Sequence, residues 1–133
     1  MTQWIQNNLR AGLIRRVNTG VRQISKERIL TMVPGLSPVR QKFSCIPKRS
    51  LSKVAGDVQS GDLIFFVSTR RHLDVFHCGI LIRDGGRLLL RHASRSQSGV
   101  VEQELADFLK SNRMSGFILV RPVDPASASS RIH

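Results

Sequence analysis

The sequence predicts one α+β domain in which helices pack against one face of an antiparallel sheet. Three observations support this class. Residues 63–67 form a continuous apolar run of β-forming residues between polar turns. Two longer apolar runs, residues 75–83 and 87–93, flank Asp84-Gly85-Gly86, which is a strong hairpin signal. Near both ends of the chain, apolar side chains recur at helical spacing.

The first half of the chain is predicted to hold one helix and little other regular structure. Residues 3–17 fit an amphipathic helix whose apolar side chains pack on the sheet while its arginines face solvent. Residues 20–33 fit either a helix or a strand. The two prolines and the glycine within residues 34–38 interrupt regular structure. Residues 39–60 are predicted to form an extended loop.

The second half is predicted to complete the sheet after the hairpin. Val100-Val101 adds a short strand, and residues 102–112 fit a helix with one apolar side. Residues 117–120 form a last strand. We therefore expect a single domain over residues 1–122, followed by a disordered tail of small and polar residues over 123–133.

The balance of charge favours an acidic partner. The chain has 133 residues and a formal net charge of +12, with 16 arginines and five lysines. Nucleic acid, anionic lipid and anionic wall polymers all suit such a charge. However, the basic residues are scattered and only 5% of the residues are aromatic, so no specific nucleic-acid partner is predicted. No stretch is long and apolar enough to cross a membrane.

Cysteine usage and the N-terminus carry little further information. The two cysteines, Cys45 and Cys78, form neither a disulfide framework nor a zinc motif. The N-terminus lacks the compact apolar core and the small-residue cleavage site of a signal peptide. The chain as written is therefore expected to stay in the cytoplasm, and nothing in it indicates an oligomeric state.

Two histidines are predicted to lie side by side on the hairpin. If Asp84-Gly85 is the loop, His77 lies directly opposite His92, with Cβ atoms about 4.5–5.5 Å apart. If Gly85-Gly86 is the loop, His77 faces Ser94 and His92 becomes its diagonal neighbour on the same face. Only a three-residue loop would place the rings on opposite faces, because side chains alternate along a strand. Such a pair suggests a base with its orienting partner, or two metal ligands.

Three segments around these histidines stand in a distinctive order, namely Gly61-Asp62-Leu63-Ile64-Phe65-Phe66, Asp74-Val75-Phe76-His77-Cys78-Gly79-Ile80 and Leu90-Arg91-His92-Ala93-Ser94. In order and spacing they resemble the core of the NlpC-type cell-wall cysteine hydrolases, which have a papain-like arrangement. Local matches at Trp4-Ile5, Ile46-Pro47-Lys48 and Ser115-Gly116-Phe117 make the chain most similar to their N-acetylmuramoyl-L-alanine amidase-like branch. The resemblance extends from Trp4 to Pro122.

The resemblance implies a function for three residues. His77 would be the catalytic base and His92 the residue that orients it, while Asp74 would contact substrate. A cysteine hydrolase needs a thiolate, a base and a group that holds the base in one tautomer. The implied substrate is a peptidoglycan fragment or a similar anionic peptide, hydrolysed at an amide without metal or cofactor. The family also implies a periplasmic or secreted location.

The nucleophile expected from the resemblance is absent from this sequence. In such hydrolases it stands at a helix N-terminus, upstream of every segment that matches here. Cys78 adjoins His77 in a strand, so its side chain points to the other face. Cys45 is followed closely by Pro47, which does not suit a nucleophile on a helix. We therefore expect a fragment or a degenerate member of the family, inactive as given.

Two other functions remain open from the residues alone. The first is a noncatalytic basic domain that binds an anionic polymer through its arginine-rich surface. The second is a metal-binding protein that uses the two hairpin histidines, although no third ligand stands at a suitable spacing.

Overall fold

The computed structural model describes residues 1–31, 35 and 37–124. Its helices are α1 (Thr2–Arg10), α2 (Leu51–Val54, between 3₁₀ turns at Lys48–Ser50 and Ala55–Asp57) and α3 (Leu105–Ser111). Its strands are β1 (Ile14–Arg16), β2 (Ile24–Leu30), β3 (Val39–Pro47), β4 (Leu63–Val67), β5 (Val75–Asp84), β6 (Arg87–Ser94), β7 (Gly99–Glu104) and β8 (Gly116–Pro122). The predicted break at Pro34, and residues 125–133 of the tail predicted over 123–133, lie outside the described residues.

The eight strands of the described residues form one sheet. Its order is β2-β3-β8-β4-β5-β6-β7, and every pairing is antiparallel. The short strand β1 pairs with the C-terminal end of β8, while β3 pairs with its N-terminal end. The predicted α+β class with an antiparallel sheet is confirmed. None of the helices in the described part of the chain is long and apolar enough to span a bilayer.

The sheet is buried on both faces at its centre. Phe66 and Phe117 belong to one buried cluster with Phe108 of α3, whereas Phe65 belongs to a second cluster with Ile5 of α1. The prediction that helices cover a single face was therefore wrong. Burial on both faces explains why β4 and β8 are unbroken apolar runs instead of alternating ones.

The N-terminal helix is shorter than the sequence predicts. It ends at Arg10, and the residues that follow the next turn form β1. The backbone N–H groups of Gly12 and Leu13 return to carbonyls of the last helical turn, and Gly12 has φ +75°, which together form a Schellman cap. The helix predicted over residues 3–17 was thus wrong beyond Arg10, because Gly12 ends the helix.

The predicted loop over residues 39–60 was also wrong. Its first half is β3, and its second half consists of α2 with the flanking 3₁₀ turns. Buried side chains stand at alternate positions of β3, namely Gln41, Phe43 and Cys45. The polar Gln41 weakens that period-two pattern in the sequence. The ambiguous region at residues 20–33 contains β2, which pairs with β3 along its whole length.

The helix predicted over residues 102–112 begins three residues later than expected. Residues 99–104 form β7, which pairs with β6, and α3 starts at Leu105. Glu102 lies opposite Arg91 in this ladder and forms an ion pair with it. Cross-strand pairing therefore outweighs the helical propensity of this glutamate- and glutamine-rich segment.

Candidate active site

The hairpin has the second of the two predicted registers. Asp84 pairs with Arg87, so Gly85-Gly86 is the loop, and the ladder continues to Ile80 opposite Arg91. His77 and His92 therefore lie diagonally on the same face of the sheet. Nε2 of His77 lies 2.8 Å from Nδ1 of His92. The ring centroids are 5.0 Å apart and the ring planes are almost perpendicular.

Gly79 allows the two rings to meet. Continuing the ladder by one step places Gly79 opposite His92. A Cβ atom at position 79 would lie 2.8 Å from the backbone oxygen of Arg91 and 3.2 Å from Cβ of His92. Both distances are shorter than an ordinary van der Waals contact, so a side chain at position 79 would push β6 away from β5. The glycine therefore lets β6 approach closely enough for the His92 ring to reach His77.

A β-bulge shapes the neighbouring wall of the cleft. Phe66 pairs with His77 and Val67 with Val75, which leaves Phe76 as the extra residue of β5. Phe76 consequently lines the same cleft as His77, although the two are adjacent in sequence. Its ring centroid lies 6.2 Å from that of Phe66. Bulges commonly re-aim a side chain in this way beside active sites.

Aromatic rings hold the histidines in place. Phe66 and Phe108 stack on the His77 ring with centroid distances of 6.2 and 5.6 Å, and Phe108 meets His92 edge-on at 5.2 Å. Burial lowers the pKa of His77 below its ordinary value of 6.5, and the neighbouring His92 lowers it further. His77 is therefore neutral at pH 7 and able to accept a proton.

Gln103 completes a hydrogen-bond chain through both rings. Its Oε1 lies 2.9 Å from Nε2 of His92. A carbonyl oxygen only accepts, so Nε2 of His92 carries the proton and Nδ1 of His92 is an acceptor. His77 must then donate from Nε2 to His92. Its Nδ1 is left without a proton, and it has no hydrogen-bond partner within the described residues.

Sequence reasoning missed Gln103 because it was assigned to a helix. In the structure Val101 lies opposite His92 and Gln103 opposite Leu90 in the β6–β7 ladder. Gln103 is therefore a diagonal neighbour of His92 on the histidine face. Extending the short strand at Val100-Val101 with period two would have placed Gln103 on the face of Val101. That alternation was the available signal.

The histidine pair lies in an open cleft of about 1000 Å³. One wall is the polar turn between β6 and β7, which includes Arg95 and several serines. Phe76 also lines the cleft, and Asn112 lines it at the end of α3. The cleft thus combines polar and aromatic lining residues.

The structure does not bring Asp74 into this cleft. Its carboxylate is 3% exposed and accepts hydrogen bonds of 2.7 Å from both the backbone N–H and the hydroxyl of Thr2. The amino group of Met1 lies 3.1 Å away. Burial opposes ionisation of Asp74, but these hydrogen bonds and one from Val75 outweigh it and lower its pKa. Asp74 anchors the start of α1, and its substrate-binding role stays a prediction.

Neither cysteine of the chain reaches the histidine cleft. Cys78 lies on the opposite face of the sheet from His77, beside Trp4 and Phe65. Cys45 is fully buried in β3. Burial raises the pKa of the Cys45 thiol, more than the nearby Lys26 and Arg28 lower it. Cys78 is therefore on the wrong face, and Cys45 is buried, so neither thiol is placed to act as a nucleophile beside His77.

No metal site forms around the pair in the part of the chain that the structure describes. No three His, Cys, Asp or Glu side chains converge there or elsewhere in these residues. His72, another histidine of the chain, lies in the β4–β5 loop with Nδ1 3.2 Å from the backbone oxygen of Ile29. The arrangement can instead hold one neutral imidazole in a defined tautomer.

Comparison with known proteins decides the family. The family model of N-acetylmuramoyl-L-alanine amidase-like proteins matches residues 1–117. The chain belongs to this family. The amidase-like chain has no match among curated proteins.

Solved structures share the fold of the amidase-like chain. An N-acetylmuramoyl-L-alanine amidase from Bacteroides uniformis is 23% identical with a TM-score of 0.76, over 92% of this chain and 63% of that one. A Bacteroides fragilis protein whose name suggests a xylanase is 25% identical with a TM-score of 0.74, over 90% and 64%. A Legionella pneumophila protein is 15% identical with a TM-score of 0.76, over 91% and 60%. The amidase-like chain spans less than two thirds of each of these structures.

Proposed function

We propose that this chain carries the base of an NlpC-type, papain-like cysteine hydrolase that cleaves amide bonds in peptidoglycan. The observation that carries the proposal is the hydrogen-bond chain from Gln103 through His92 to His77. That chain leaves Nδ1 of His77 as an unprotonated nitrogen beside a cleft. The lowered pKa of His77 supports the same role, because a base must be neutral at the working pH.

The reaction follows from this arrangement. His77 takes the proton of a cysteine thiol at Nδ1, and His92 stabilises the resulting imidazolium by accepting from Nε2. The thiolate adds to the amide carbonyl, and the C–N bond breaks as His77 returns the proton to the departing amine. A water molecule then adds to the thioester with His77 again as base, which releases the carboxylate and the free thiol.

The nucleophilic thiol of the proposed reaction belongs to a residue outside these 133 residues. Cys45 and Cys78 both lie away from His77, and the related structures are longer than this chain. A thiol at a helix N-terminus facing Nδ1 of His77 would have the lowered pKa that the reaction needs. Residues 1–133 alone are then expected to be inactive.

Thiol alkylation tests this assignment. Residues 1–133 would be compared with a protein extended upstream along the reading frame, with release of free amino groups from purified peptidoglycan as the readout. We expect no hydrolysis by residues 1–133 and hydrolysis by the extended protein that iodoacetamide abolishes. Turnover by residues 1–133, or turnover insensitive to alkylation but lost with a metal chelator, would contradict the proposal.

Gln103 is expected to act as a positioning residue for the histidine pair. In the extended protein, Gln103→Leu removes the acceptor that holds the proton on Nε2 of His92, so we expect a loss in kcat of about tenfold to a hundredfold. Gln103→Glu keeps an acceptor oxygen and should restore most of kcat with a shifted pH profile. A purely structural role would leave the pH profile of both variants unchanged. Equal kcat in the parent and Gln103→Leu would refute this role.

A further inference from the structure

Four basic side chains surround one concavity next to β2 and α2. Arg22, Lys26, Arg49 and Lys53 line a space of about 880 Å³, and we call these four residues the basic groove. Arg22, Arg49 and Lys53 are exposed, while Lys26 is half-buried. Among the described residues that line this space there is no acidic side chain and no aromatic ring. The fold therefore gathers charges that are scattered in the sequence.

The cations of the basic groove are not neutralised by carboxylates of the described residues. Four other arginines do pair with carboxylates, at Arg40–Glu27, Arg87–Glu104, Arg91–Glu102 and Arg121–Asp62. None of the four groove side chains forms an ion pair within residues 1–31, 35 and 37–124. Unpaired charges of one sign inside a concavity strengthen one another's field and attract anions.

A second concavity lies between the basic groove and the histidine cleft. It has a volume of about 570 Å³, and Pro47 and Arg49 line both this concavity and the one that contains the basic groove. Its wall also contains Lys48, whose Nζ donates a 2.7 Å hydrogen bond to the backbone oxygen of Asn112. Asn112 in turn lines the histidine cleft. The three concavities therefore follow one another, from the histidine cleft past Lys48 to the basic groove.

We infer that the basic groove binds free carboxylates of peptidoglycan peptides while an amide of the same polymer lies in the histidine cleft. This inference rests on the proposed function, since it assigns the groove to the polymer that the cleft would cleave. Charge complementarity favours a carboxylate-bearing polymer, and the neighbouring histidine cleft favours the substrate over an unrelated anion. The lack of aromatic rings argues against single-stranded nucleic acid, whose bases stack on them.

Sedimentation with insoluble peptidoglycan tests the groove. The wall would be stripped of attached phosphate polymers, and the full chain would be pelleted with it at low and at high salt. Arg49→Glu with Lys53→Glu should lower the affinity by about tenfold or more at low salt, and less at high salt. Arg70→Glu with Arg71→Glu is the matched control, because it changes the charge equally and lines none of the three concavities.

Chemical modification of the wall provides a second test that does not depend on the protein variants. Amidating the wall carboxylates with a carbodiimide and methylamine should reduce binding of the parent chain to the level of the double groove variant. Unchanged binding by the groove variant, an equal loss in the control, or undiminished binding to amidated wall would each overturn the inference. Binding only to wall that retains its phosphate polymers would also overturn it. Hydrolysis is measured in a separate assay. A loss of binding to the wall can therefore be distinguished from a failure of the proposed hydrolysis.

Discussion

Replacing His77 with alanine is expected to lower amide hydrolysis by the extended protein at least about a thousandfold. The variant removes Nδ1 of His77, which has no hydrogen-bond partner among the described residues. Nδ1 is the atom proposed to accept the thiol proton. Initial rates of peptidoglycan amide release, with kcat and KM measured separately, check the expectation.

His72→Ala is the matched control for this prediction. His72 is an exposed histidine in the β4–β5 loop with one ring contact, to the backbone oxygen of Ile29. It lies outside the residues that line the histidine cleft, so its loss should leave kcat within about twofold. Equal losses in the two variants would mean that His77 acts through stability and not through chemistry.

The same histidine should make stability depend on pH. Because the pKa of folded His77 lies below its ordinary value of 6.5, the unfolded chain binds more protons as the pH falls through that value. Stability is therefore expected to decrease below about pH 6.5 and to level off once folded His77 is also protonated. His77→Gln should flatten this part of the curve in urea unfolding. Asp74 has a lowered pKa, so its contribution to stability is lost in a separate pH range, as the pH falls below its ordinary pKa of 3.8.

Replacing Asp62 with asparagine is expected to cause the largest loss of stability, about 3 kcal/mol. Asp62 is 1% exposed, and its two oxygens accept hydrogen bonds of 2.7 and 2.8 Å from the guanidinium of Arg121. It also accepts from the backbone N–H of Gln59. The variant leaves Arg121, which is 16% exposed, without its counter-charge at the junction of β4 and β8.

Glu27→Gln is the control for the Asp62 variant, because it makes the same carboxylate-to-amide change in an exposed ion pair. The side chains of Arg40 and Glu27 are 70% and 42% exposed, so the loss should stay below about 1 kcal/mol. Urea unfolding measures both variants, and the dependence of the unfolding free energy on urea should not change. Similar losses in the two variants would show that the Asp62–Arg121 pair contributes no more than a surface pair.

Short-range patterns in the sequence were enough to predict the α+β class, β4 and the histidine hairpin. The apolar run at residues 63–67 and the Asp-Gly-Gly turn each specify a conformation through nearby residues alone. The hairpin prediction allowed two registers, and both place His77 and His92 on the same face. The choice between them depends on which two residues form the loop, and the folded chain uses Gly85-Gly86.

Where local signals competed, the sequence predictions went wrong. The apolar spacing of residues 3–17 favours a longer helix, but Gly12 ends the helix and β8 pairs with the residues that follow. The segment around Glu102 favours a helix, but β6 holds it in a strand. In both cases a partner strand supplied hydrogen bonds that the helical spacing of the segment does not reveal. β8 is distant from β1 in sequence, whereas β6 directly precedes β7.

Amino-acid order alone thus identified the histidine pair and the strands that carry it, because alternation along a strand is a local property. Three other features could be identified only from the folded chain. They are the hydrogen bond of Gln103 to His92, the anchoring of α1 by Asp74, and the basic groove. Each depends on residues brought together across the sheet or between distant segments. Such contacts are set by strand register and long-range packing, which the spacing of residues along the chain does not encode.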